Sequence, residues 1–373
     1  MVTSTESSDS SNPDSPLTLL NCREAIDRID NRIHDLLMER VQWVVKVGEL
    51  KDRQADASFY RPEREAQIHR RLEERHRGPM PVDALHRIFR EIISSSLRLE
   101  QQIAVAYLGP EATYTHQAAL KQFGSSSQLF PISSIEGVFQ EVESRRADFG
   151  VVPVENSTEG MVNHTLDRFM ESPLKICGEI FFPLSHTLLS KESDMRDIRL
   201  LITHPLALSQ CRRWVDRNLT GVRVEIVAST AHAAQKACRE AKSAAIAGAF
   251  ASEHFGLNIL ADRIDDHPDH GNRFLVIGRQ IPQRSGKDKT SLMISFPDQP
   301  GFLHQVLGVF AKRDINLTSI ESRPSRKRAW EYYFFVDIQG HQEDDGVVEA
   351  LTELKDVVGL STKILGSYPL TPI

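Results

Sequence analysis

The stretch Leu97–Gln117 reads LRLEQQIAVAYLGPEATYTHQ, and its texture changes at Ile103. Upstream, apolar residues recur at steps of three and four, the period of a helix with one buried face; from Ile103 to Leu108 they run almost unbroken and stop at Gly109-Pro110, the pattern of a short buried strand. This boundary separates an all-helical first third from an α/β remainder.

Working back from it, the residues from Val82 to about Gln102 and from Pro62 to Arg77 read as two helices, parted by the breaker Gly78-Pro79-Met80-Pro81. Before them Ile26, Ile29, Ile33, Leu36, Leu37, Val41, Val44, Val47 and Leu50 keep helical spacing to about Lys51. A helix of about 35 residues is about 50 Å long, more than a lone domain of this size covers, so partner helices are expected, from a second chain. Residues 1–16 carry six serines, three acids and two prolines, and are expected to be a disordered leader without the order of a secretion signal.

Working forward, apolar runs at Ile103–Leu108, Phe149–Val154, Ile176–Ile180, Leu200–Thr203, Val222–Val227, Ala244–Ala247 and Phe274–Ile277 alternate with helical stretches. Such alternation predicts an α/β domain with mainly parallel strands and a ligand site beyond their carboxyl ends. Pro282–Lys289 reads as a linker, and the order after it is βαββαβ, a ferredoxin-like module. The expected domains are thus 17–102 (all α), 103–281 (α/β) and 289–369 (α+β).

Composition narrows the function. The 373 residues are 40% apolar, ample for two or three cores, and no apolar run approaches the roughly 20 residues of a bilayer span. With 45 basic against 51 acidic residues the net charge is −6, which gives no general attraction for nucleic acid. Four scattered cysteines without a C-x-x-C pair predict reduced thiols in the cytoplasm. There is no G-x-G-x-x-G after a strand, no P-loop, no H-E-x-x-H and no G-x-S-x-G, so neither a cofactor nor a metal is expected.

In the helical third, Arg40 and Lys51 are 11 residues apart, hence within roughly 20° of each other and about 16 Å apart on one helix. Their side chains could close on a small anion. Solvated cations in i,i+4 pairs are the plain alternative. Arg23, 17 residues before Arg40, is about 25 Å away and could reach such a pocket only from a partner chain. The strings REAIDRIDNRIHDLLMERVQWVVKVGELK, YRPEREAQI and REIISSSLRLEQQ resemble the all-helical chorismate mutase domain, an intertwined dimer. The resemblance implies a site lined by Arg23 of the partner chain with Arg40, Lys51, Arg64, Glu65, Ser96 and Glu100. Rearranging chorismate to prephenate needs conformational restriction of a dianion and stabilisation of the breaking ether bond, not a nucleophile. Arg61 and Glu100 depart from the family, which has an acid and often a glutamine there. A carboxyl at 100 donates a hydrogen bond only when protonated, so mutase turnover is expected to fall with rising pH.

The segments AYLGPEATYTHQAA, VVPVENSTEGMVNHTLD, SHTLLS, THPLALSQC, STAHAA, AAIAGAFASEHFGL and NRFLVIG follow the order seen in prephenate dehydratases, two-lobed proteins similar to periplasmic binding proteins. What the resemblance implies is removal of hydroxyl and carboxylate from prephenate to give phenylpyruvate. Its residues here are Glu155, Asn156, Ser157, Thr203, Gln210, Asn272, Arg273 and Phe274, with Arg273 expected to hold a substrate carboxylate. Taken singly these residues equally suit caps and turns. Asn272 replaces a family threonine, Ala112 a common glycine and Leu206 a common glutamine. An amide cannot relay a proton as a hydroxyl does, which leaves Glu155, His116 or water as the proton source.

The strings PGFLHQVLGVFAKRDINLTSIESRP and WEYYFFVDI resemble an ACT regulatory domain, which implies phenylalanine near Gly301, Phe302, Leu303, Asn316, Glu321, Ser322 and Arg323, at an interface between two copies. The aromatic alternation Trp330 to Phe335 reads as sheet core or dimer contact. Together the three resemblances imply a bifunctional enzyme of phenylalanine synthesis inhibited by its end product: a homodimer or higher assembly with neither nucleic-acid nor membrane partner. Two rivals are an amino-acid-binding regulator with mutase activity and a decayed dehydratase site, and a mutase fused to a prephenate dehydrogenase. The latter is disfavoured by the missing dinucleotide fingerprint.

Overall fold

The structure, a computed structural model, describes residues 18–51, 60–157, 160–267, 271–296, 300–324, 332–358 and 361–371. The expected leader and Trp330 lie outside the described residues. The chain divides into two compact units, Met1–Ala57 and Ser58–Ile373.

Among its described residues the smaller unit is one helix, α1 (Leu19–Lys51), as its periodicity predicts. Its apolar stripe is bare: Ile26, Ile29, Ile33, Leu36, Trp43 and Leu50 are all more than half exposed or close to it. A 33-residue helix whose apolar face stays in water is far from its most stable state.

The larger unit opens with α2 (Pro62–Arg75) and α3 (Val82–Glu100). Pro62 at the first helical position costs no hydrogen bond, since the first amides of a helix lack intrahelical partners. Then come β1 (Ala104–Leu108), α4 (Tyr114–Phe123), β2 (Gln128–Ile132), α5 (Ile135–Glu143), β3 (Phe149–Asn156), β4 (Gly160–Met161), α6 (Asn163–Glu171) and β5 (Lys175–Pro183). The chain crosses to a second lobe of β6 (Thr187–Ser190), β7 (Leu200–Thr203), α7 (Pro205–Gln210), α8 (Arg212–Asn218), β8 (Arg223–Ile226), α9 (Thr230–Ala237), β9 (Ser243–Ala247), α10 (Phe250–Phe255) and β10 (Asn258–Ala261). It returns as β11 (Gly271–Gly278) to the first sheet, ordered β2-β1-β3-β11-β5 with β4 beside β3. The second sheet is ordered β10-β6-β9-β7-β8.

Both sheets are mainly parallel in strand direction, as expected, and the ordered strands of each include one that runs against the rest, β11 in the first and β6 in the second. β1, β2 and β3 run parallel, but β11 is antiparallel to β3 and β5; β7, β8 and β9 run parallel, but β6 is antiparallel to β9 and β10. The reason is topological. β5 leaves the first sheet at the carboxyl edge of β3, so a strand returning at that edge runs the other way. β6 likewise enters at the carboxyl edge of β9, where Thr187 pairs with Ala247. The carboxyl ends of the parallel strands in both lobes therefore face the crossover.

The C-terminal module is β12 (Asp288–Phe296), α11 (Phe302–Ala311), β13 (Leu317–Pro324), β14 (Tyr332–Gln339), α12 (Asp345–Val358) and β15 (Ser361–Pro369), the expected βαββαβ order, with the sheet arranged β13-β14-β12-β15. One face packs Leu292, Ile294, Val336 and Ile338 under the two helices. The other contributes Met293, Phe335, Leu365 and Tyr368 to the core of the first lobe, against Val152, Val154, Phe169, Ile176 and Leu275. At Gly366 the two backbones nearly touch: an added Cβ would lie 2.1 Å from the carbonyl oxygen of Ile176.

Candidate active sites and a ligand site

Register places the α/β candidates. Asn272 of β11 pairs with Asn156 of β3, Arg273 pairs with Glu155, and a bulge falls between Arg273 and Phe274. The Asn156 side chain donates to Asn272 Oδ1 at 2.6 Å, which leaves the Asn272 amide hydrogens as the groups that residue offers a ligand. Ser157 closes the ladder: its N–H donates to the Gly271 carbonyl and its Oγ accepts from Gly271 N, both at 3.0 Å. Asn156 is buried, whereas the Glu155 side chain is 41% exposed at the same strand end. Phe274 turns into the core with Tyr107, Phe123 and Val276.

Arg273 is placed differently from its expectation. Strand neighbours face opposite sides, so Asn272 and Arg273 cannot both line one crevice. The guanidinium lies under the C-terminal sheet, with Nε 2.9 Å from Glu179, Nη2 2.5 Å from Asp337 and Nη1 3.6 Å from Glu155. Lys289 joins Glu179 at 2.8 Å, and Ser291 Oγ donates to Asp337 at 2.5 Å. Burial alone would lower the Arg273 pKa; the carboxylates of Asp337 and Glu179 outweigh it and raise it. With that face covered and its charge answered, the Arg273 guanidinium lies behind the strand end, on the side away from Asn272. Asp337, Glu179 and Lys289 escaped the sequence reading, although a charge inside an apolar strand, Asp337 in YYFFVDIQ and Glu179 in KICGEIFFP, was a signal for two of them.

In the second lobe Thr203 ends β7 and is fully buried, and His204 caps α7 with its own ring, Nδ1 accepting from Leu206 N at 3.3 Å. Gln210 ends α7, buried, its carbonyl accepting from Asp266 N at 2.8 Å. The lobes meet at Tyr114, whose hydroxyl donates to the Ser185 carbonyl at 3.0 Å, and at Gly248, where a Cβ would lie 3.2 Å from the Tyr114 ring. The two crossovers are tied to each other: Asp265 accepts from His186 N at 2.7 Å and contacts Nδ1 of its ring at 2.5 Å. Among the described residues, His186, Cys211 and Asp265 are the group with metal-ligand chemistry, their donor atoms within 4.8 Å of one another. Burial raises the Cys211 thiol pKa, which opposes the thiolate a metal requires, and the cluster reads as a structural tie.

Ala112, the substitute for a family glycine, has φ 59°, a left-handed conformation in which a Cβ is strained. Its N–H donates to His116 Nδ1 at 3.1 Å, and the ring stacks on Tyr107 at 4.8 Å. Burial lowers the His116 pKa, with Glu111 opposing. A neutral imidazole holding its proton on Nε2 is a poor acid.

Of the helical candidates, Arg23, Arg40 and Lys51 stand on α1; Arg64 and Glu65 stand on α2, Ser96 and Glu100 on α3. Arg64 is exposed, and Ser96 is buried with its Oγ donating to the Ile92 carbonyl at 2.6 Å. Burial pushes the Glu65 carboxyl up to about 8, Arg90 opposing and Glu63 adding. In the C-terminal module Gly301 starts α11 at φ 82°, Phe302 is buried, Leu303 packs against the same core, and the Asn316 carbonyl accepts from Gln339 N at 2.9 Å. Glu321, Ser322 and Arg323 lie on the edge strand β13; Arg323 pairs with Asp167 of α6 at 3.0 Å.

Residues 105–282 match the family described as prephenate dehydratase, 22–101 chorismate mutase type II and 290–356 the ACT domain. A bifunctional chorismate mutase/prephenate dehydratase of Aquifex aeolicus (strain VF5) is 48% identical over 94% of this chain and 98% of its own. Its namesake in Stutzerimonas stutzeri is 45% identical over 93% and 96%. A solved prephenate dehydratase from Arthrobacter aurescens, in complex with L-Phe, is 34% identical with a TM-score of 0.67, over 73% of this chain and 92% of that one. This chain belongs to the family of bifunctional chorismate mutase/prephenate dehydratases.

Proposed function

We propose that the protein rearranges chorismate to prephenate on its helical third and converts prephenate to phenylpyruvate at the strand ends of its α/β lobes, under feedback by phenylalanine at the C-terminal module. The observation that carries the dehydratase reading is the Asn156–Asn272 pair at matched strand ends, with Glu155 beside it. In this reading the Asn272 amide donates to the leaving hydroxyl, Glu155, His116 or a bound water supplies its proton, and Thr203 and Gln210 approach from the second lobe. Loss of carbon dioxide and water makes the ring aromatic, so the protein has only to polarise the leaving oxygen and orient the two carboxylates. The mutase reading uses Arg40, Lys51 and Arg64 as fixed cations with Glu65, Ser96 and Glu100 as polar partners, and Arg23 from a second copy. The bare stripe of α1 supports a homodimer. Phenylalanine is assigned to Gly301, Phe302, Leu303, Asn316, Glu321, Ser322 and Arg323, and free cysteines agree with a cytoplasmic setting.

The test is one coupled assay, chorismate in and phenylpyruvate out, with and without phenylalanine. The wild type is expected to turn over and to be inhibited, and Asn272→Thr to raise the dehydratase rate several-fold. A wild type that makes no phenylpyruvate, restored by Asn272→Thr, would establish the decayed site of an amino-acid-binding regulator.

A further inference from the structure

The seam between α2 and the first lobe holds a chain of polar groups that neither activity explains. Tyr60, just before α2, is 4% exposed and sits between Phe123 and Phe149, both ring centroids 5.0 Å away. Its hydroxyl accepts from Gln122 Nε2 at 2.7 Å, and Gln122 belongs to α4, the helix whose other end carries Tyr114 and His116. The same hydroxyl hydrogen-bonds the Glu65 carboxyl. A phenol that accepts from an amide has its own proton to donate, so the order is Gln122 N–H to Tyr60, Tyr60 O–H to Glu65. The second oxygen of a protonated Glu65 then carries the hydrogen, available to an oxygen of a ligand. Arg90 of α3 and Glu63 of α2 are the other charged groups facing this carboxyl.

We propose that Tyr60 and Gln122 are positioning residues of the mutase: the first lobe reaches across the seam and fixes Glu65 as a hydrogen-bond donor to the rearranging substrate. This rests on the mutase reading of Glu65, and it makes a side chain of the α/β domain part of the support of the helical site. The aromatic socket holds the phenol in place, and linked hydrogen bonds strengthen one another, so the last donor gains from the first.

The experiment uses the full chain and follows chorismate consumption and phenylpyruvate formation in the same preparations. Tyr60→Phe is expected to lower mutase kcat about tenfold, the loss of roughly one hydrogen bond, with KM changed less than threefold. Gln122→Leu is expected to give a smaller fall in the same direction. In the wild type mutase activity is expected to decline as pH rises through the Glu65 value of about 8. Removing the Tyr60 donor, which favours the ionised form, is expected to move that decline to higher pH. Dehydratase turnover is expected to stay within about twofold, since neither residue is assigned to that site. An unchanged mutase kcat and pH profile in Tyr60→Phe overturns the proposal. So does an equal fall of both activities in both variants, which marks lost packing. A wild type that consumes no chorismate overturns the mutase reading itself, whatever the variants do.

Discussion

Two regions present the same problem in sequence and solve it differently. α1 and the C-terminal sheet are both amphipathic, and each has an apolar face that its own segment cannot cover. On α1 that face stays in water, with Ile33 50% and Leu36 61% exposed; on the C-terminal sheet it is closed against the first lobe, with Leu365 at 2% and Tyr368 at 0%. Periodicity states that a face needs burial, and says nothing of whether the cover comes from the same chain. The sheet adds a second device, the charges at Arg273, Lys289, Glu179 and Asp337, which fix its placement on the lobe. An apolar seam adheres, whereas a buried charge network penalises every other register.

The comparison breaks most visibly if α1 is disabled. Ile33→Asp with Leu36→Asp puts two charges on the bare stripe. The expected outcome is a halved mass by light scattering and a mutase rate down by about 100-fold or more, with phenylpyruvate formation from added prephenate largely kept. A dimer that survives would show that the stripe is not the cover-seeking face. Next in size, Asp337→Ala leaves Arg273 short of a buried partner, and chemical denaturation should show a loss of about 3–5 kcal/mol with mutase dimerisation unchanged. A loss near that of an exposed pair would mean that the network is ornamental to the seam. Smallest, Gly366→Ala forces the two backbones apart where they nearly touch, for a cost of about 1–3 kcal/mol read by the same denaturation. A neutral result would place the seam's tolerance elsewhere.

Much of this was legible. α1 is helical through Lys51 in keeping with its spacing, and seven of the strands fall on the apolar runs that marked them. β2, β4, β6 and β10 were not read, and the reason is physical: four residues of Thr187–Ser190 buried on both faces have no alternation, Gln128–Ile132 and Asn258–Ala261 at sheet edges bury no residue fully, and Gly160–Met161 is two residues long. The reversed direction of β11 and β6 was beyond the sequence because it follows from where the chain re-enters a sheet. In the site, NRF identified the strand end, yet alternation alone placed Asn272 and Arg273 on opposite faces, a constraint available before any coordinates. Glu65 could be named by resemblance, whereas Tyr60 and Gln122 lie 62 residues apart and meet only through the fold.

The His186–Asp265 tie has a mechanical consequence. The second lobe is joined to the first by two connections tied to one another through a buried pair, so a movement that separates the two connections has to break that pair.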